Sequence, residues 1–159
     1  MTAFQTRFSQ YIQAVYPILY LQTHEETRVL NELFEIGKAN SRKIYQWSIS
    51  KNWHRAGESL GIGAVPNPLK ALEAITADLD EDSIVILHDF HFYLPDSGII
   101  RRLRDLILPC KIGRKTIVIL APRLVLPPEL ERDITLISYT LPSLPDLQLL
   151  LTALLDENP

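Results

Sequence analysis

Cysteine is nearly absent: Cys110 stands alone in 159 residues. No internal disulfide can form, which fits a reducing, intracellular compartment. Charge of one sign is also lacking. The net charge is −3 and the pI near 5.8, so no global basic field draws the chain to nucleic acid. No apolar run approaches the ~18 residues that span a bilayer, and the opening MTAFQTRFSQYIQ lacks the basic-then-apolar order of a signal peptide. Membrane insertion is therefore not expected, and the location reads as cytoplasmic. Glycine is scarce as well, and the first one in the chain is Gly37.

What is present is a globular composition. The chain is 47% hydrophobic and 22% charged, which argues against disorder, and its length suits one domain with a real core. Phe4, Phe8, Ile12 and Val15 share one helical face, predicting a helix over 3–15 that Pro17 closes. PILYLQT (17–23) reads as a buried strand. Residues 25–39 read as a helix with Gly37 in its frayed last turn. KIYQWSI (43–49) reads as a second strand. Residues 50–67, with Gly57, Gly61, Gly63 and Pro66, show no period and read as one long loop, a length more often functional than ordinary.

Helical spacing resumes over 68–79 and again over 96–108, and the apolar runs SIVILHD, KTIVILA (115–121) and ITLISY (134–139) read as strands. Ser143 is the expected N-cap of a closing helix, and the polar ending DENP reads as a linker within a longer chain. Strands alternate with helices, and the central strands are continuous Val/Ile/Leu runs. That pattern predicts a single α/β domain over 1–159, three-layered, with a mostly parallel sheet covered by helices on both faces.

In such a sheet a triphosphate is held where the first core strand meets its helix, by a G-x-x-x-x-G-K-[ST] loop. Here PILYLQT runs directly into HEETRVLNEL, with no glycine and no lysine between. Thr23 and Glu26 have the T-x-x-E spacing of a capping box. Glu25 and Glu26 place negative charge at the positive end of the helix, where a phosphate would otherwise sit. The phosphate loop is absent.

The strand IVILHD ends like one that delivers an acid to nucleotide-bound magnesium, with Asp89 as the acid. His88 intervenes, and Phe90 stands where a water-polarising glutamate belongs. His88, Asp89 and His91, with His24 after the neighbouring strand, are the alternative as a metal site. Three or four ligands are needed and nothing in the spacing fixes their geometry, so no metal is assigned. Cys110, after Pro109 at a helix end, is placed where the dipole raises a thiol pKa, and no G-x-S-x-G elbow occurs. No catalytic residue is assigned, and no cofactor.

The order of HDFHFYL, KTIVILAPR and LPPELERDITLISYT resembles AAA-type ATPases from the Walker B strand through the sensor strand to the arginine segment. More narrowly, QYIQAVYPILYLQTHEETRVLNEL followed by KIYQWSISKNWHRAG resembles the cyanobacterial and plastid AAA ATPase family called hypothetical chloroplast open reading frame forty-six. The resemblance implies a RecA-like fold and a degenerate N-terminal ATPase domain ahead of an intact AAA module. It also implies a link to photosynthetic regulation or inorganic-carbon use, and the plastid stroma as the location in algal relatives. Thr23, His24, Glu25, Glu26, His88, Asp89 and Phe90 would then be the remnant of a nucleotide site. Ala121-Pro122-Arg123 departs from the family's sensor turn.

The function expected is a non-catalytic pseudo-ATPase domain, its partners its own C-terminal AAA module and/or further copies of itself. Candidate contact residues are Trp53, His54 and Arg55 in the 50–67 segment, with Arg101, Arg102, Arg104 and Arg132. Two alternatives stand beside it. One is nucleic-acid binding through Arg101, Arg102, Arg104, Lys111, Arg114 and Lys115, although a solvated helix face explains the same charges. The other is a nucleotide or small-molecule sensor without hydrolysis at the sheet edge, lined by His24, Asp89, His91 and Tyr93.

Overall fold

The computed structural model describes residues 2–139 and 144–157. Ser143, the expected helix cap, lies outside them. The chain opens with α1 (Ala3–Gln13), whose Thr2 cap accepts from the Gln5 N–H while the Gln5 side chain accepts from the Thr2 N–H. Then follow β1 (Ile18–Gln22), α2 (Glu26–Ala39) and β2 (Lys43–Ser48). After them come β3 (Asn52–Arg55), β4 (Glu58–Ser59), α3 (Pro68–Ala77) and β5 (Ser83–His88). The chain continues with α4 (Ser97–Gly113), β6 (Lys115–Ala121), β7 (Ile134–Ser138) and α5 (Leu144–Glu157).

Seven strands form one sheet in the order β4-β3-β2-β5-β6-β1-β7. The five from β2 to β7 are parallel, and only the β3 and β4 additions run antiparallel. The expected α/β sheet with helices on both faces is present. The alternation of side chains along a strand divides the core in two. From β5, Ile84 and Ile86 join Phe8 and Ile12 of α1 and Val29, Leu33 and Ile36 of α2. Val85 and Leu87 join Leu72 and Ile75 of α3 and Leu103 and Leu106 of α4 on the other face. Strands buried on both sides read as unbroken apolar runs for this reason.

Three expectations need correction. Residues 50–67 are not one long loop, because β3 and β4 form a hairpin there. Its turn, Ala56-Gly57, has positive φ at both residues (52° and 80°), the primed geometry that matches strand twist. Gly37 is buried in an intact turn of α2, and a Cβ there would meet Ile44 Cδ1 at 2.7 Å. The helix expected over 96–108 runs on through Pro109 to Gly113 and ends at Arg114, whose left-handed backbone closes it. The closing helix is present as α5, with its leucines, from Leu144 to Leu155, all exposed.

Candidate ligand crevice at the carboxyl-terminal edge of the sheet

After β1 the chain enters α2 on one face of the sheet. After β6 it crosses the other face, where Leu130 joins the α3–α4 core. Connections that leave neighbouring strands toward opposite faces open a crevice between their carboxyl ends, the usual ligand position in open α/β sheets. A cavity of about 210 Å³ lies there, lined by Thr23, His24, Glu26, Asp89 and Ala121. A second cleft of about 330 Å³ adjoins it across Glu26 and Asp89 and reaches Gln46, Lys51, His54 and His88.

The connection from β1 to α2 closes on itself. The Thr23 N–H donates to Ala121 O at 2.9 Å, extending the strand pairing, and Thr23 Oγ1 accepts from the Glu25 N–H at 3.0 Å. The expected capping box is not formed. Glu25 is the cap residue and makes no side-chain cap bond, pairing instead with Arg28 at 3.2 Å. Glu26 turns its carboxylate to His88, with Oε1 2.5 Å from Nδ1. The other ring nitrogen, Nε2, lies 2.8 Å from Gln46 Oε1. Burial lowers the His88 pKa from its ordinary value, while Glu26 pulls it upward; burial is the larger effect.

Asp89 follows at a left-handed φ of 53°. Its N–H donates to Leu120 O at 2.9 Å, and the side chain is exposed in the crevice. That turn carries the chain into a 3₁₀ segment, Phe90–Phe92, and away from the sheet edge. Phe90 is buried in the core, edge-on to Trp47 at 5.7 Å and to Tyr93 at 5.2 Å. The remnant set thus separates: Thr23, His24, Glu26, His88 and Asp89 gather at the crevice, whereas Glu25 and Phe90 line neither cavity. His91 and Tyr93, expected at the same edge, line neither cavity either. Gln46 is a crevice residue that sequence reasoning misses. Its one signal is a polar residue inside a β-rich strand.

A magnesium-bound triphosphate does not fit these residues. It needs free backbone N–H groups at the start of the helix and a cation beside them. The Glu25 N–H is already taken, Glu26 adds a carboxylate in the first turn of α2, no glycine lines either cavity, and the lining lysine, Lys51, comes from the β2–β3 turn rather than the helix start. Among the described residues, no three His, Cys, Asp or Glu side chains converge to hold a metal. Cys110 is buried in the last turn of α4, and burial pushes its thiol up to about 11.

The expected contact residues do not share one surface. Trp53 is 1% exposed, packed in the α3–α4 core rather than displayed. Arg55 lies over the Tyr45 ring at 5.7 Å, and His54 is half-buried. Arg101 pairs with Asp105 and Arg102 with Glu73 at 3.1 Å, while Arg104 is exposed and has no carboxylate partner among the described residues. Arg132 sits at the opposite end of the sheet from the crevice, beside Lys111 and the start of β7. The basic segment is thinner than its sequence. Lys115 is buried, donating to Ile75 O at 2.7 Å and Leu79 O at 2.9 Å at the end of α3, and Arg114 pairs with Asp82 at 3.1 Å.

Among the described residues no helix is long and apolar enough to cross a membrane. Residues 4–139 match the family described as the SpoVK-like AAA ATPase, N-terminal domain. A similar protein is the uncharacterized AAA domain-containing protein ycf46 of Guillardia theta, 35% identical over 142 residues that cover 88% of this chain and 28% of that protein. Its counterpart in Trieres chinensis is 35% identical over 133 residues, covering 82% of this chain and 27% of that one. The chain thus spans little more than a quarter of the length of these relatives. Among solved structures, a chain in the Drosophila ORC bound to DNA matches at 13% identity and a TM-score of 0.48, covering 91% of this chain and 93% of that chain. With the family matched across the whole sheet, and the plastid resemblance borne out by these relatives, the chain belongs to the SpoVK-like AAA ATPase N-terminal domain family.

Proposed function

We propose that this domain is a non-hydrolysing element of a AAA ATPase, serving interaction and assembly rather than catalysis. The observation that carries the reading is the closed start of α2. Glu26 occupies the helix N-terminus and is engaged by His88, and Thr23 holds the Glu25 N–H. Phosphates entering there would meet a carboxylate and a donor already in use. Hydrolysis also needs a group to orient water, and the position after Asp89 is a buried phenylalanine. Hydrolysis then belongs to an AAA module of the longer protein, and the domain's partners are that module and further copies of itself. The photosynthetic or inorganic-carbon role implied by the resemblance is part of this proposal.

The test is calorimetry of this chain, and of Asp89→Ala, with magnesium-ATP and magnesium-ADP. No heat of binding and no thermal shift are expected for either protein. Micromolar binding that Asp89→Ala abolishes would overturn the reading and make the domain a nucleotide sensor.

A further inference from the structure

We propose that α5 of one copy of this chain docks on the outer face of α4 of a second copy, giving head-to-tail association. This rests on the reading of the domain as an interaction element, and it names the partner. The leucines of α5 are between 46% (Leu147) and 71% (Leu149) exposed. Leu147, Leu150, Leu151 and Leu154 recur at helical spacing and form a continuous stripe. None of them enters either core of the sheet. A 14-residue helix is marginal alone in water and is ordinarily held by packing of its apolar face.

The surface that matches it is on α4. Leu108 (65% exposed) and Ile112 (74% exposed) stand one turn apart on its outer side. Arg104 lies one turn before Leu108, and Lys111 borders Ile112. Neither cation has a carboxylate within 4.0 Å among the described residues, whereas Arg101 and Arg102 are both paired. The charge of α5 is complementary. Residues 140–159 contain acids but no lysine or arginine. Asp156 and Glu157 fall at the negative end of the α5 dipole with no basic residue in the last turn. Cations from a partner relieve that repulsion.

Within one copy both surfaces are exposed at once, so α5 does not cover its own α4. Parallel pairing of two α5 helices would bring the acidic ends together, whereas the α4 face offers Arg104 and Lys111 to them. Because the two patches differ, each copy offers one of each, as in a heterologous interface.

Complementation of the full chain in the analytical ultracentrifuge tests this. The wild type should associate with rising concentration, and Leu154→Asp and Ile112→Asp should each weaken association by more than about tenfold. Both positions are exposed, so the folded domain should keep its thermal midpoint. Leu154→Ala, which keeps helix propensity, should weaken association less. The decisive sample is the equimolar mixture of Leu154→Asp with Ile112→Asp. One supplies an intact α4 face and the other an intact α5, so a 1:1 dimer should form and grow no further.

Lys111→Glu should weaken the wild-type association and reduce its sensitivity to salt. A monomeric wild type, association unaffected by Ile112→Asp, or a mixture that stays monomeric would each overturn the docking. Nucleotide binding in the preceding calorimetry would make the domain a nucleotide sensor and leave this result standing. Failed complementation with no nucleotide bound would do the reverse.

Discussion

At the carboxyl-terminal edge of the sheet, Thr23, Glu26, Gln46 and His88 are engaged in short polar contacts within the chain. On α5, the leucines from 144 to 155 stand exposed. The two regions are opposites. The crevice has the shape of a ligand site, but Thr23, Gln46 and the Glu26–His88 pair are already engaged, so a ligand that uses those groups must break internal contacts before making its own. The helix has no cavity, but its leucines stand exposed in this structure, and a partner gains by covering them. The difference separates a fold's inherited geometry from its available chemistry: position at a switch point makes a pocket, and free donors or uncovered carbon make a binding site.

The comparison can be broken most forcefully by truncating a leucine in each layer. Leu33 of α2 is fully buried in the core that α1 and α2 share with the sheet. Leu33→Ala should cost about 2–5 kcal/mol, the range for leucine removed from a packed core. Leu154→Ala, measured by urea denaturation at concentrations where the chain is monomeric, should change stability by no more than about 0.5 kcal/mol. A large loss from Leu154→Ala in the monomer would mean that α5 packs on its own domain and that the contrast is false.

A smaller effect is expected at Gly37, where a methyl group would press on Ile44 Cδ1 at 2.7 Å. The added helix propensity of alanine works against that clash, but it is worth less than the overpacking costs. Gly37→Ala should destabilise by about 1–3 kcal/mol. Ile44→Val in the same chain should recover part of the loss by making room. An unchanged or raised unfolding midpoint in Gly37→Ala would show that α2 can shift away from β2 freely.

The parts of this fold that can be read along the chain are those fixed by local pattern. SIVILHD and KTIVILA are unbroken apolar runs because Ile84 and Val85, neighbours in sequence, face different cores, and that alone marks a sheet covered on both sides. The missing phosphate loop is equally plain, since it is a contiguous motif. What cannot be read is what depends on strand order. Gln46 and His88 are 42 residues apart and meet only because β2 lies beside β5. Glu26 reaches His88 from the start of α2, which is why the T-x-x-E spacing misleads: the glutamate has a better partner across the sheet. Lys115 looks like part of a basic surface, yet β6 begins beneath the carboxyl end of α3, whose carbonyls take its ammonium group. The 50–67 segment is obscured by brevity, since four residues of β3 and two of β4 are too short to show a period.

The finest test of the contrast is the titration of His88. Burial holds its imidazole below the ordinary value of about 6.5, so there is a pH range in which the unfolded chain binds a proton that the folded chain refuses. Stability should therefore fall as pH drops through about 6.5 and level off once the folded value is passed. His91 is also lowered by burial and adds to the same slope, so the two must be followed separately by NMR of their ring protons. Glu26 is what singles out His88. Its carboxylate favours the charged ring, and Glu26→Gln should lower the His88 pKa further while leaving His91 unmoved. If His88 instead titrates above its ordinary value in the wild type, Glu26 outweighs burial. The crevice would then hold an ion pair near neutral pH, and its polar groups would present charge to a ligand rather than a network closed on itself.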